Sequence, residues 1–406
     1  MTNMKYLLTI ASALLLFVAC NKNENNEPDD PMGQRTVMVY MSGDNDLSSY
    51  AQMDINEMIA GATSIPKKSN LVLFVDRRKT GEHPFIAKVT QDQQQPLDTL
   101  HTFSSDFYAS DPEQFTSVLQ RIMTLCPARE YGLVLWGHAS GWTVSTDTIK
   151  SNRAYGKDSE KWMNITQMAV ALKSLPRLKF IFADCCNMMC VEAGYELRDA
   201  TDYLIGSPAE IPSDGASYDK VMPYFFKDGS ELYKGIIDAY YNGYNSTASY
   251  GVPLSVIDTK YVGDLAVATA AILEQAQGGY PQKPDSPDMS GIAFYFAYDV
   301  PMMYDMRAFI QKLVPADAFN LWDSTYRQAV PYHLMSMSWM TIYNGYSGSY
   351  NLIKAFNTFD PTLSYGSVSM FVPQSGYGYE RGDFVYNERS WNFSWTHIMN
   401  WSRFGW

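Results

Sequence analysis

Two short apolar stretches end in residues that could carry out nucleophilic chemistry. The stretch 131–137 is followed by His138. The stretch 179–184 is followed by Cys185 and Cys186. Apolar runs of this length are typical of buried parallel strands, and ligands bind beyond the carboxyl ends of such strands. Two neighbouring strands would therefore bring an imidazole close to a thiol, as a cysteine nucleophile with a histidine base requires.

The alternation of side chains along a strand favours Cys186 as the nucleophile. Asp184 and Cys186 would leave the strand on one side, whereas Cys185 would point back towards the core. We interpret Cys185, Cys190 and Cys126 as buried small hydrophobic residues. The alternative is a metal site using Cys186 and Cys190, but no nearby set of histidine and cysteine completes it.

The N-terminus predicts export. Residues 1–19 carry Lys5 and then an apolar run of about a dozen residues, too short to span a bilayer and typical of a secretory signal. Residues 17–20 resemble a bacterial lipobox, in which Cys20 would be lipidated. The alternative is an ordinary signal peptide with an incidental cysteine. Residues 20–34 predict an acidic, flexible tether to the outer membrane, on its periplasmic face or at the cell surface.

The composition narrows the function classes. The chain has 406 residues and a formal net charge of −12, which argues against nucleic acid as a partner. At 46% hydrophobic residues it can bury one large core or two modest ones. Beyond Cys20 only four cysteines remain, and three of them fall within one turn, so they do not form a disulfide framework.

Strands alternate with helices along most of the chain, which predicts an α/β fold with a mostly parallel sheet and helices on both faces. We assign residues 35–230 to the core and 231–406 to a region that packs on it and extends it. The last 16 residues hold four tryptophans, which predicts packing, with a binding surface as the alternative. The predicted strands are 36–41, 71–76, 85–89, 131–135, 180–183, 203–206, 254–258, 292–296 and 367–372. The predicted helices include one ending near 60, one opening at 111–113, and those at 164–175 and 261–277, with a polar loop at 143–161.

Four stretches make the chain resemble the clostripain-type cysteine peptidases, a family with the caspase-like fold. They are Thr36–Met41 with Gly43–Leu47, Tyr131–Trp142, Asp184–Glu192, and Ile205–Ser207 with Asp214 and Gly215. Weaker matches occur at 254–258 and 367–373. The family has an aspartate two residues before its cysteine and Val-Glu or Ile-Glu five and six residues after it. Cys186 fits this pattern, and His138 precedes it by 48 residues.

The resemblance implies hydrolysis of peptide bonds through an acyl-enzyme. His138 would take the proton of Cys186, and a helix beginning near Asn187 would further favour the thiolate. The amides of Cys186 and Ala139 would hold the oxyanion. The family usually has glycine at the position of Ala139, where a left-handed backbone would strain an alanine.

The resemblance also implies specificity for Arg or Lys before the scissile bond. A carboxylate beside the nucleophile needs a cationic partner, so Asp184 suits such a pocket. Asp214 matches the family's second acid, with loop capping as the alternative. Family members often cleave themselves between histidine and cysteine. The segment 143–161 offers four basic residues, of which Lys150 and Arg153 are our first candidates.

No cofactor is predicted. Some relatives depend on calcium, and residues 44–46 could supply oxygen ligands, but capping of the next helix is the favoured interpretation. The second class of function is a catalytically weak or inactive lipoprotein that binds peptides or glycans on the same fold. Retention of both His138 and Cys186 favours the peptidase, whereas Ala139 leaves room for the binding protein.

Overall fold

The computed structural model describes residues 32–142, 154–159, 161–245, 251–278, 288–297, 301–342, 350–354, 359–372 and 393–401. The strands in these ranges are β1 (Gly33–Gly43), β2 (Ser69–Arg77), β3 (Phe85–Val89), β4 (Leu97–Thr102), β5 (Ala128–Gly137), β6 (Tyr155–Asp158), β7 (Lys161–Met163), β8 (Leu178–Asp184), β9 (Thr201–Gly206), β10 (Leu254–Asp258), β11 (Phe294–Ala297), β12 (Pro301–Asp305), β13 (Tyr332–Leu334), β14 (Ser338–Ile342), β15 (Tyr350–Lys354) and β16 (Ser369–Phe371). The helices are α1 (Ser48–Ala60), α2 (Pro112–Leu125), α3 (Ile165–Lys173), α4 (Val191–Glu196), α5 (Tyr218–Val221), α6 (Gly229–Asn245), α7 (Thr259–Gly278), α8 (Met306–Leu313), α9 (Ala316–Ala329) and α10 (Ser394–Met399).

The central sheet has nine strands in the order β13-β10-β9-β8-β5-β1-β2-β3-β4. The five strands from β9 to β2 are parallel, and the two at each edge run antiparallel to their neighbours. Apolar side chains alternate between two buried layers. Met38 and Tyr40 face one layer, whereas Val37 and Val39 face the other. The predicted sheet with helices on both faces is confirmed.

The register of the parallel strands brings His138 and Cys186 to the same edge of the sheet. Ser42 of β1 lies opposite Gly137 of β5, and Trp136 of β5 lies opposite Asp184 of β8. The three strands therefore end at nearly the same level, so the loops that follow them begin side by side. Because these strands are buried on both faces, their apolar sequences fix the level at which His138 and Cys186 emerge.

Residues after 230 contribute to the same sheet. Strands β10 and β13 pair along its β9 edge, and Trp395 and Trp401 are buried in the core. Residues 32–406 form one compact unit. None of the described helices is long and apolar enough to cross a membrane.

One predicted element is wrong in part. The segment 143–161 was expected to be a polar loop, yet β6 and β7 pair as a short antiparallel hairpin at its C-terminal end. The hairpin is anchored to the sheet through buried Tyr155, whose hydroxyl donates to the carbonyl oxygens of Tyr40 and Trp136. Polar composition hid this anchor, because one buried tyrosine is a weak signal of a strand.

Candidate active site

His138, Cys186 and Asp184 line a single cavity of about 220 Å³ at the carboxyl edge of the sheet. The loops that follow β1, β5, β8 and β9 and the β6–β7 hairpin form its walls. Its lining residues are Asp46, Leu47, Trp136, Gly137, His138, Ala139, Lys157, Trp162, Asp184, Cys186, Glu210, Ile211, Pro212, Ser213 and Gly215. The structure thus brings together the predicted nucleophile, base and specificity acid.

Cys186 lies on a tight turn, not at a helix terminus. Strand β8 ends at Asp184 and α4 begins only at Val191, so the prediction of a helix starting near Asn187 is wrong. Asn187 has φ +60°, a left-handed conformation that costs roughly 1–3 kcal/mol in a non-glycine residue. Its amide donates to the carbonyl oxygen of Ala209 at 2.9 Å, which ties the turn to the loop after β9.

The surroundings of this turn disfavour the thiolate of Cys186. Burial, together with the carboxylates of Glu210 and Asp184, raises the pKa of the thiol to about 12, although the amide of Ile211 opposes the rise by donating to Sγ at 3.4 Å. The helix dipole that we expected to favour the thiolate is displaced by five residues from the sulfur, and the effect of a dipole falls off within one turn.

The neighbouring cysteines are buried, as predicted. Cys185 and Cys190 have no exposed surface, and Cys126 is also buried; all three thiols are free. Among the described residues, no group of three or more His, Cys, Asp or Glu side chains is arranged to hold a metal ion.

His138 follows Gly137, whose φ of +139° lets the chain pass close to β1. A Cβ at Gly137 would lie 2.8 Å from the carbonyl oxygen of Ser42, so the close approach requires glycine. The ring nitrogen Nε2 of His138 lies 3.0 Å from Oδ1 of Asp46. The ring of Trp162 lies 6.3 Å from the imidazole, centroid to centroid. Asp46 and Trp162 were not among the predicted site residues.

Ala139 does not need the left-handed backbone that we expected to strain it. It forms a β-bridge with Tyr155, and the residues with positive φ are Gly137 and Gly141 on either side. The two hydrogen bonds around the bridge are donated by the amides of Ser140 and Gly156. Neither bond uses the amide of Ala139, and Ala139 is among the residues that line the cavity.

Asp184 lies at the inner end of the cavity with both carboxylate oxygens hydrogen-bonded. The hydroxyls of Tyr218 and Tyr240 donate to it at 2.9 and 3.0 Å, and the amide of Ala216 donates at 3.2 Å. Burial raises its pKa, and these donors oppose the rise. Gly215 has φ +58°, and a Cβ there would lie 2.8 Å from Asp184 Oδ2. The two tyrosines were missed, because nothing in their local sequence points to a strand 30 or more residues away.

Asp214 is exposed and does not line the cavity, although its neighbours Ser213 and Gly215 do. Its charge contributes to raising the pKa of two other carboxyls, Asp54 and Glu57. Burial is the main cause for Asp54, whose pKa is raised to about 9 and whose Oδ2 accepts from Trp136 Nε1 at 2.5 Å.

The three polar residues that follow β1, Asp44, Asn45 and Asp46, make three different contacts. The expected capping of the next helix is wrong: α1 has Leu47 at its N-cap and no side-chain cap hydrogen bond. Asn45 instead closes a local turn, in which its Oδ1 accepts from the amide of Leu47 at 2.8 Å. Asp44 pairs with Arg78 at 3.0 Å, and Asp46 with His138. The self-cleavage candidates Lys150 and Arg153 lie outside the described residues.

A parallel sheet with a cysteine and a histidine at its carboxyl edge defines the class of a caspase-like cysteine peptidase. The model of the clostripain family matches residues 39–404, and the chain belongs to that family. It is a cysteine peptidase. No curated protein matches the chain.

Three solved structures share the fold. A secreted C11 cysteine protease from Bacteroides thetaiotaomicron, in complex with an irreversible peptide inhibitor, is 28% identical with a TM-score of 0.75, covering 91% of this chain and 100% of its own. An inactive zymogen C11 protease from Parabacteroides distasonis is 24% identical with a TM-score of 0.74, covering 91% and 98%. A second secreted C11 protease from Bacteroides thetaiotaomicron is 18% identical with a TM-score of 0.74, covering 91% and 99%.

Proposed function

We propose that this cysteine peptidase cleaves peptide bonds after Arg or Lys, with Cys186 as nucleophile and His138 as base. The observation that carries the proposal is that both side chains and the buried carboxylate of Asp184 line one cavity. A thiol and an imidazole that face the same space can share the proton transfers of acyl-enzyme chemistry. The buried acid beside them gives that space a preference for positive charge.

The reaction follows from the neutral thiol. As Sγ of Cys186 attacks the carbonyl carbon, the thiol proton passes to His138. The oxyanion receives hydrogen bonds from the amides of Cys186 and Ala139. The C–N bond then breaks as His138 returns the proton to the leaving amine. Water, deprotonated by His138, attacks the thioester and releases the acid and the thiol.

Asp184 supplies the charge for the substrate's Arg or Lys. Its hydrogen bonds from Tyr218 and Tyr240 fix the carboxylate rigidly, so a cationic side chain meets a preorganised partner. A cation in the cavity would also reverse the burial effect that raises the pKa of this acid. Asp214, exposed beside Gly215, would add long-range attraction from the rim.

Chloromethyl ketone peptides ending in Arg or Lys test the assignment. They should label Cys186 covalently, and peptides ending in Asp or Leu should not. Cys186→Ala and His138→Ala should abolish cleavage, whereas the matched control Cys185→Ala, at a buried core position, should retain most of it. Activity of Cys186→Ala together with loss in Cys185→Ala would overturn the choice of nucleophile, and a preference for acidic substrates would overturn the role of Asp184.

The mature protein is proposed to be exported and anchored by a lipid on Cys20. The structural relatives described as secreted support export. Cys20→Ser should move the protein from the membrane fraction to the soluble fraction, and an unchanged distribution would contradict lipidation. The proposed reaction uses protein groups alone, so activity should survive dialysis against EDTA; a loss that calcium restores would contradict this.

Activation by self-cleavage after Lys150 or Arg153 is the remaining proposal. The other two basic residues of that segment, Lys157 and Lys161, lie in the β6–β7 hairpin, where main-chain pairing holds the backbone away from a protease. Incubating the wild type beside Cys186→Ala should give a new N-terminus in the wild type alone. Full activity of an uncut chain would refute activation, and equal cutting of both proteins would indicate a contaminant.

A further inference from the structure

Asp46 contacts the catalytic imidazole directly. Its Oδ1 lies 3.0 Å from Nε2 of His138, across 92 residues of sequence. The two residues come from different loops, one after β1 and one after β5, which the parallel register places side by side. The carboxylate side chain is 71% exposed, whereas that of His138 is 27% exposed. Asp46 therefore approaches the ring from the solvent side.

The loop that carries Asp46 is held rigidly. Asn45 is buried, and its side chain makes three hydrogen bonds: Oδ1 accepts from the amide of Leu47, and Nδ2 donates to the carbonyl oxygens of Ser42 and Lys157. The contact with Lys157 joins the loop to the β6–β7 hairpin at 2.6 Å. The position of Asp46 is thus fixed by its neighbour, although its own side chain is open to water.

The contact decides which nitrogen of His138 can act as the base. Partial burial raises the pKa of Asp46, but the hydrogen bond with His138 and the charges of His138 and Lys157 outweigh burial and lower it. The carboxylate is therefore ionised at neutral pH and can only accept. Nε2 must then carry the proton that is shared with Asp46. In the neutral ring, the lone pair is left on Nδ1.

We propose that Asp46 is the positioning residue of the catalytic histidine: it holds the imidazole in the tautomer whose Nδ1 takes the proton of Cys186, and it stabilises the imidazolium that forms. This rests on the proposed roles of His138 and Cys186. Asp46 lines the cavity, but it acts through the ring: the hydrogen-bond partner of the Cys186 thiol is Ile211, not Asp46. Lys157, which lines the same cavity, adds a smaller contribution, because its positive charge also lowers the pKa of Asp46.

The test compares Asp46→Asn, Asp46→Glu and the matched control Asp44→Asn. Asp44 lies in the same loop, but its carboxylate pairs with Arg78 on the surface. With a peptide carrying Lys before the scissile bond, Asp46→Asn should lower kcat about tenfold and leave KM unchanged. The acid limb of kcat/KM should move to lower pH, because the imidazolium loses its partner. Asp46→Glu should restore most of kcat, and Asp44→Asn should match the wild type.

A measurement without turnover completes the test. In full-length Cys186→Ala, ¹⁵N NMR of His138 should show the proton of the neutral ring on Nε2, and adding Asp46→Asn should move part of the population to the tautomer with the proton on Nδ1. An unchanged tautomer, or a pH profile of Asp46→Asn equal to that of Asp44→Asn, would overturn the positioning role while leaving the peptidase intact. A wild-type protein that cleaves nothing would instead refute the proposed function.

Discussion

The neutral thiol of Cys186 predicts how this site reacts with an alkylating agent. Burial and the carboxylate of Glu210 raise the thiol pKa from about 9 to about 12, which corresponds to roughly 4 kcal/mol against the thiolate. At pH 8 only about one molecule in 10⁴ then carries a thiolate, against about a tenth of the molecules for a thiol with a pKa of about 9. Alkylation by iodoacetamide should therefore be slow and should rise tenfold with each pH unit between pH 7 and 9.

The perturbation that tests the cause is Glu210→Gln. Removing one nearby like charge should lower the pKa of Cys186 by about one, so alkylation at pH 8 should become about tenfold faster. The neutral amide keeps the size of the side chain. Glu113→Gln, an exposed substitution in the first turn of α2, is the control and should leave the rate unchanged. Glu210→Gln should accelerate alkylation by the same factor in the His138→Ala background. In that background the imidazole cannot accept the proton, so the rate reports the ionisation of the thiol itself.

The assay is mass-spectrometric counting of carbamidomethyl groups over time in the Cys20→Ser variant. The other three thiols are buried and should not compete. A rate that reaches a plateau below pH 7 would show a preformed thiolate–imidazolium pair and would refute the neutral thiol. A Glu210→Gln rate equal to the wild type, with circular dichroism unchanged, would refute the assignment of the charge effect to Glu210.

Two further predictions concern stability. Burial and the charge of Asp158 raise the pKa of Asp76 to about 9, above its unfolded value. The contribution of Asp76 to the stability of the folded protein is therefore fully present below about pH 4 and is lost as the pH rises towards 9. Asp76→Asn should thus raise Tm increasingly from pH 5 to 9, and a constant difference would contradict this. Gly141 has φ +58°, and a Cβ would lie 2.0 Å from the carbonyl oxygen of Asn187. Gly141→Ala should lower Tm and kcat together, whereas Gly263→Ala, with open space in α7, should not; equal Tm values for both would contradict the clash.

The parts that the sequence predicted are those that depend on local pattern. The runs around Val39, Val134 and Phe182 are apolar throughout because both faces of their strands are buried, and they became β1, β5 and β8. Asp111 and Pro112 marked the start of α2, and the Asp111 side chain does accept from the first-turn amides. Period-two alternation was enough to place Cys185 in the core.

The features that the sequence did not predict depend on contacts between distant segments. Asp46 looked like a capping residue because Asp, Asn and Ser share that role, and only the register of β1 with β5 shows that its carboxylate meets His138. Tyr240 lies 56 residues from the acid that it supports, on a helix whose apolar pattern explains its burial without any hydrogen bond. The presence of such a residue is already explained by its own segment, as a helix cap or as a buried side chain. The sequence therefore gives no sign of its contact with the site.

The segment between Cys186 and Val191 shows why the prediction of a helix starting near Asn187 was wrong. Its residues would be acceptable in a helix, and the helix was expected to begin at once. In the structure the turn is used for tertiary contacts instead: Asn187 and Met189 donate their amides to the loop after β9, and Ser369 donates its amide to the carbonyl oxygen of Met189. These bonds satisfy main-chain groups that a helix would have satisfied internally. The cost is a left-handed conformation at Asn187, next to Cys186. The Cys186 thiol therefore has no help from a helix dipole, so under the proposed mechanism its attack depends on His138 and on the orientation of that imidazole.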